Sequence, residues 1–139
     1  MNIVKYPDPP LLEKSVEVDL KDEQTIVFLM DFLGFYMTLI ERAVGLACPQ
    51  VGKNIRAFIA LGIPYVNPVI TKRSRGTYET FEGCLSLEEG KQYKVRRHKE
   101  ITMEWVDMEE KKRVQTFTGF EAQVIQHEYD HLEGILINK

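Results

Sequence analysis

The residues best placed to do chemistry are Gln126-His127-Glu128-Tyr129-Asp130-His131, two histidines four apart with a glutamate directly after the first. On an α-helix such residues lie about 40° apart around the axis and about 6 Å along it, so both imidazoles can converge on one ion. Glu128, beside the first histidine, reaches a water on that ion without taking a coordination place, and so has the makings of a general base. The plainer reading, a surface helix that happens to carry two histidines, is weakened by the rarity of the pattern at ordinary residue usage. A catalytic centre of this kind takes three protein ligands and keeps one position open for water, so a third ligand is required.

Downstream of His131, Glu133 is the sole candidate, and its position two residues on turns it away from the histidine face. Upstream, Glu82-Gly83-Cys84-Leu85-Ser86 offers a thiolate at the end of a strand, where Gly83 lets the backbone approach an ion or substrate. Cys84 is the better third ligand, although a cysteine taken alone fits equally well as a small buried hydrophobe. With Cys48 it could form at most one bridge, and a reducing compartment favours thiol or metal chemistry. Val124 and Phe120 precede His127 by three and seven positions and share its face. With Val44 they are candidates for an apolar wall beside the site, Phe120 being equally well placed for the core.

These groups need a scaffold. Residues 121–132 contain no proline or glycine and stop before Gly134, which predicts the metal-binding helix. Apolar residues at Ile26, Leu29, Met30, Leu33, Met37 and Ile40 predict a long N-terminal helix over residues 22–43. Phe28, Phe32, Phe35 and Leu39 on its other face predict burial on more than one side. Short runs at residues 55–61, 65–70 and 77–85 read as strands, as does a longer one over residues 95–108, which a charged turn at 109–113 joins to residues 114–118 in an antiparallel hairpin. The expected fold class is α+β, with antiparallel strands packed around the metal-binding helix in one domain over residues 1–139. A net charge of −3 and a pI near 5.7 argue against direct nucleic-acid binding, although residues 91–99 are locally positive. The longest apolar stretch, residues 25–40, falls short of the about 20 residues that span a bilayer. The N-terminus lacks the features of a signal or transit peptide, so a cytoplasmic protein is expected.

Residues 82–86 and 126–132 resemble the second and third signature motifs of the peptide deformylase family, and Val44-Gly45-Leu46-Ala47-Cys48-Pro49-Gln50-Val51-Gly52 is similar to its first. The three stand in the family's order, and Tyr6-Pro7-Asp8-Pro9 and Asn67-Pro68 also agree. The resemblance decides for Cys84 as the third ligand beside His127 and His131. It implies one divalent ion, Fe2+, for which Zn2+, Ni2+ or Co2+ can substitute. The implied reaction is hydrolysis of the formyl group on the N-terminal methionine of nascent peptides. Glu128 would take the proton of the metal-activated water and deliver it to the departing amine. Gln50, through its side-chain amide, and Leu85, through its backbone N–H, would hold the oxyanion. Gly45 and Val44 in the first motif, with Val124 and Phe120, would line the substrate site. Ribosome association is a family trait, but the further C-terminal helix used for it has no counterpart in this sequence; shortened forms of this kind are known from phages, so the compartment would be a bacterial or phage-host cytoplasm.

Some residues depart from the family's pattern. Ala43 replaces a glycine and Cys48 an alanine, with Cys48 expected to pack as a slightly larger alanine. Leu87-Glu88-Glu89-Gly90 replaces an apolar-proline step, which puts the following peptide-binding edge in doubt. Arg97 resembles the arginine that pairs with Glu82, with Arg96 as the alternative. Two other functions compete: a zincin-like endopeptidase, which would have no use for Cys84 or Gln50, and a non-catalytic binding protein on the same fold.

Overall fold

The computed structural model describes residues 1–139. Its elements are α1 (Glu23–Thr38), β1 (Gly45–Ala47), β2 (Ala57–Ala60), β3 (Ile63–Arg73), β4 (Thr77–Glu82), β5 (Tyr93–His98), β6 (Glu100–Val106), β7 (Lys112–Thr118) and α2 (Gly119–Leu132). One sheet has the order β1-β2-β3-β6-β7 and a second consists of β4 and β5, every pair being antiparallel. This is the expected α+β class. Helix α2 buries Ala122, Val124, Ile125, Tyr129 and Leu132 in one cluster with Phe58, Tyr65, Ile101, Met103 and Phe117 of the large sheet. A helix embedded at that many positions is held along its length, which is what a pair of metal ligands one turn apart needs.

Helix α1 starts where Asp22 accepts a hydrogen bond from the Gln24 N–H, and it ends at Thr38, short of the expected Ala43. Residues 39–43 instead turn on hydrogen bonds from the Arg42 and Ala43 N–H groups to the Leu39 carbonyl. Its burial also differs from expectation. Leu29, Phe32, Tyr36 and Leu39 face the second core cluster, whereas Val27 (60% exposed), Met30 (56%), Met37 (54%) and Ile40 (52%) face outward. The buried positions follow a single i, i+3, i+7, i+10 stripe, so α1 is a surface helix with an apolar back.

The run expected as one strand over residues 95–108 divides at Lys99: β5 belongs to the small sheet and β6 to the large one. The crossing is pinned by the Lys99 N–H on the Gly76 carbonyl (3.0 Å) and the Ser74 N–H on the Glu100 carbonyl (2.9 Å). Asn67-Pro68 lies within β3, the strand expected over residues 65–70, at a bulge between Val66 and Val69. There Asn67 has φ 48° and its side chain bonds both backbone groups of Val18. Strand β4 stops at Glu82, so Cys84 sits just past a strand end, in a turn closed by the Leu87 N–H on the Cys84 carbonyl (3.0 Å). No helix is long and apolar enough to cross a membrane.

Candidate active site

Helix α2, the turn after β4 and the segment that follows β1 converge on one cavity of about 430 Å³. One donor atom each from Cys84, His127 and His131 lies within 4.8 Å of the others, and Cys84 Sγ is 3.5 Å from His131 Nε2. A tetrahedral ion with bonds of about 2.3 Å to sulfur and about 2.1 Å to nitrogen would hold such a pair about 3.6 Å apart, so the donors fit a metal. Glu133, the rejected alternative, is bonded to Arg56 at 2.8 Å.

The histidines are prepared for that role from behind. Glu82, the last residue of β4, lies 2.8 Å from His127 Nδ1. Its carboxylate accepts the Nδ1 proton, which leaves the Nε2 lone pair for an ion. Glu82 is in turn held by two bonds from Arg97, at 2.9 and 2.6 Å, and one from Gln123 at 3.1 Å. Arg97 also donates to Asp130 at 2.8 Å. Burial pushes the Glu82 carboxyl upward, but the bonds from Arg97 and His127 outweigh it and bring its pKa to about 2. For His127 burial favours the neutral ring, yet bonds to Cys84 and Glu82 raise it to about 10, and a bound cation replaces that proton. Burial, with His127 and Arg97 nearby, keeps His131 well below its ordinary value and therefore neutral. Arg96, the alternative partner for Glu82, is exposed and bonds Thr77 and Glu79 instead.

Glu128 is 3% exposed, and its Oε1 has no hydrogen-bond partner within the protein. Burial raises its pKa to about 7, the range of a working base. Its other oxygen packs on Gly45, where a Cβ would stand 2.7 Å from Oε2 and 2.9 Å from the Ile59 carbonyl. Only glycine leaves room for this carboxylate, a reason for Gly45 that sequence reading missed.

Gln50 is buried and fixed from one end: its Oε1 accepts the Ala47 N–H at 3.0 Å. That leaves Nε2 toward Ser86 Oγ (3.2 Å) and Cys84 Sγ (3.6 Å). Leu85 lines the cavity, and its backbone N–H donates to no other group of the protein. Val44, Gly45, Val124 and Phe120 line the same cavity. Phe120 is 57% exposed, so it is a rim residue and not core, while Val124 serves both. The residues expected as ligands, base, oxyanion donors and pocket wall are thus all brought to this place. Those missed are the Glu82–His127 bond, the second partner of Arg97 at Asp130, and the rim residues Lys5, Arg42, Phe81 and Gln92. The first had a signal, because a metal-bound histidine ordinarily gives its other N–H to an acid, and Glu82 stands two residues from Cys84.

The departures are absorbed locally. Cys48 is fully buried in the α1-facing cluster, and burial pushes its thiol upward, so it packs as an apolar side chain. Leu87 is buried with Leu11, Leu136 and Ile137, anchoring a turn that presents Glu88 and Glu89 to the cavity.

The family model for polypeptide deformylase matches residues 1–139. The peptide deformylase of Clostridium beijerinckii is 41% identical over 129 residues, covering 90% of this chain and 90% of the relative. That of Pseudothermotoga lettingae is 38% identical over 133 residues, covering 93% and 75%. Among solved structures, peptide deformylase from Thermotoga maritima superposes with a TM-score of 0.88 at 31% identity, covering 98% of this chain and 93% of that one. A Plasmodium falciparum peptide deformylase in complex with an inhibitor gives 0.87 at 32%, covering 98% and 86%. Sequence, fold and the ordered placement of three motifs around one cavity agree along the whole length: the chain belongs to the polypeptide deformylase family.

Proposed function

We propose that residues 1–139 form one catalytic domain in which Cys84, His127 and His131 hold a divalent ion, and that it removes the formyl group from the N-terminal formylmethionine of new peptides. The observation that carries this reading is the convergence of the sulfur and two imidazole nitrogens within 4.8 Å, beside the cavity that Cys84 and His127 line and where Glu128 keeps a buried oxygen unpartnered. The chemistry a divalent ion supplies there is activation of a water as nucleophile near neutral pH.

Glu128, at its unpartnered Oε1, would accept the proton of the attacking water as the water oxygen bonds to the formyl carbon. Gln50 Nε2 and the Leu85 N–H face the developing oxyanion, the amide held in that direction by Ala47. Glu128 then returns the proton to the nitrogen as the C–N bond breaks, leaving formate and a free amino terminus. Val44, Val124 and Phe120 accept the methionine side chain, and Gly45 leaves space for both substrate backbone and Glu128. The native ion in this reading is Fe2+, with Zn2+, Ni2+ or Co2+ as substitutes, in a cytoplasm where nascent peptides are the partner.

Incubating metal-loaded protein with formyl-Met, acetyl-Met and internally cleavable peptides tests this. Formate release from formyl-Met alone, abolished by Glu128→Gln with the metal retained, is the expected result. Internal cleavage would favour a zincin-like peptidase, and no turnover by fully ferrous protein would favour a binding role.

A further inference from the structure

The N-terminal segment is tied to both loops that supply the proposed oxyanion donors. The Val4 N–H donates to the Gln50 carbonyl at 2.7 Å and the Tyr6 N–H to the Ser86 carbonyl at 2.9 Å. Residues two apart in an extended segment present the same edge, so one short edge bridges the Gln50 turn and the Cys84–Ser86 turn. Between them, Lys5 Nζ donates to the Leu85 carbonyl at 2.5 Å and lines the catalytic cavity with Gln50, Cys84 and Leu85. Glu88 and Glu89 line the same cavity, yet Glu88 pairs with Lys91 and the Lys5 ammonium is committed to the carbonyl.

We infer that Lys5 is a positioning residue for the reaction: its ammonium fixes the Leu85–Ser86 peptide unit, which adjoins the unit carrying the Leu85 N–H and so limits how far that N–H can turn from the cavity, and it adds positive charge at the edge where the oxyanion forms. A hydrogen bond from a charged donor to a carbonyl is short and directional, which suits fixing one peptide unit. Charge placed where negative charge develops lowers the barrier more than it strengthens ground-state binding. The effect therefore falls on kcat and leaves KM nearly untouched. The Lys5 side chain is exposed, so replacing it removes no buried packing.

This inference rests on the reading of Leu85 as an oxyanion donor. The test compares wild type, Lys5→Met and Lys5→Arg, all metal-loaded, on a formyl-Met peptide, with metal content and melting temperature measured alongside. Lys5→Met is expected to lower kcat about tenfold with KM within about twofold and metal content unchanged, and Lys5→Arg to restore most of the rate. A Lys5→Met rate within about twofold of wild type overturns the inference and leaves the deformylase reading standing. Equal losses in Lys5→Met and Lys5→Arg, together with metal loss or a lower melting temperature, also overturn it, since the segment is then only a structural tie. A wild type without deformylase activity overturns both.

Discussion

Replacing Arg97 by methionine tests whether a buried ion cluster holds a metal ligand in place. The guanidinium is 5% exposed and donates twice to Glu82 and once to Asp130. Methionine keeps much of the volume and removes every donor, leaving Glu82 buried with only His127 and Gln123. Removing one member of a buried ion pair costs about 3–5 kcal/mol. The Glu82 carboxyl gives a second route to the magnitude: the difference between 4.5 and about 2, at about 1.4 kcal/mol per unit, is about 3 kcal/mol, shared between Arg97 and His127. For 139 residues, an unfolding entropy of about 2 cal/mol/K per residue converts 3 kcal/mol to a Tm drop of roughly 10 °C. Loss of the support behind His127 should weaken metal affinity about 10- to 100-fold as well.

The pH dependence has a fixed sign. Glu82 is depressed on folding, so its stabilisation is present above 4.5 and is lost as pH falls from 4.5 through about 2. The gap in Tm between wild type and Arg97→Met should be full at pH 7 and narrow steadily below pH 4.5. Thermal melts of chelator-treated proteins across that range, with a metal titration at pH 7, measure both effects. Equal melting temperatures at pH 7, or a gap as wide in acid as at neutrality, would refute the assignment of Arg97 as the support of Glu82.

Four other outcomes are expected. Cys84→Ser should lose most bound metal at equimolar loading, since it removes one of three protein ligands; a full equivalent retained in elemental analysis would take Cys84 out of the site. Gly45→Ala sets a Cβ 2.7 Å from Glu128 and 2.9 Å from the Ile59 carbonyl, so it should cost about 1–3 kcal/mol and displace the base, with kcat at least about tenfold lower; normal kinetics would show that the carboxylate has room to move. Burial raises Glu128 to about 7 and the base must be ionised, so kcat/KM should fall as pH drops below about 7, or lower where the bound cation draws the limb down toward 4.5; a rate unchanged below 4.5 would exclude Glu128 as the base. Iron-loaded protein should lose activity in air and be protected by catalase, while Ni2+ or Co2+ gives lasting activity; iron activity that persists for hours in air without catalase would exclude an iron-thiolate centre.

The site was legible wherever its geometry follows from a single element. His127 and His131 are set by one helical turn and Val124 by the same period, so spacing alone placed them. Cys84, Gln50 and Leu85 come from turns, which carry no period, and a residue-by-residue reading left Cys84 open between ligand and buried hydrophobe until the motif pattern decided. The sidedness of α1 was not legible, because apolar residues all round its circumference do not say which stripe a neighbour will cover; Met30 and Phe32 look alike in composition and differ in burial. The break at Lys99 was hidden for a related reason, since alternation continues through a crossing from one sheet to another.

What residue-by-residue reading leaves out is chiefly contact between elements distant in the chain; of these, the resemblance supplied only the Arg97–Glu82 pair. Glu82 meets His127 only because β4 ends beside the middle of α2, and Arg97 arrives from β5, whose register with β4 sets Tyr78 opposite it. None of these positions is apolar, so hydrophobic periodicity is silent about them, yet buried charges must find partners or change protonation state. That requirement is itself predictive: an acid beside a candidate ligand and an arginine in the following strand have few ways to be buried except together. Arg97 is 5% exposed while its neighbour Arg96 faces solvent, which follows from strand alternation once Glu82 is known to point inward. Without the resemblance, which already pairs Arg97 with Glu82, the supporting charges can be inferred only once the ligands are known, because only the ligands fix which face of each strand is the inside.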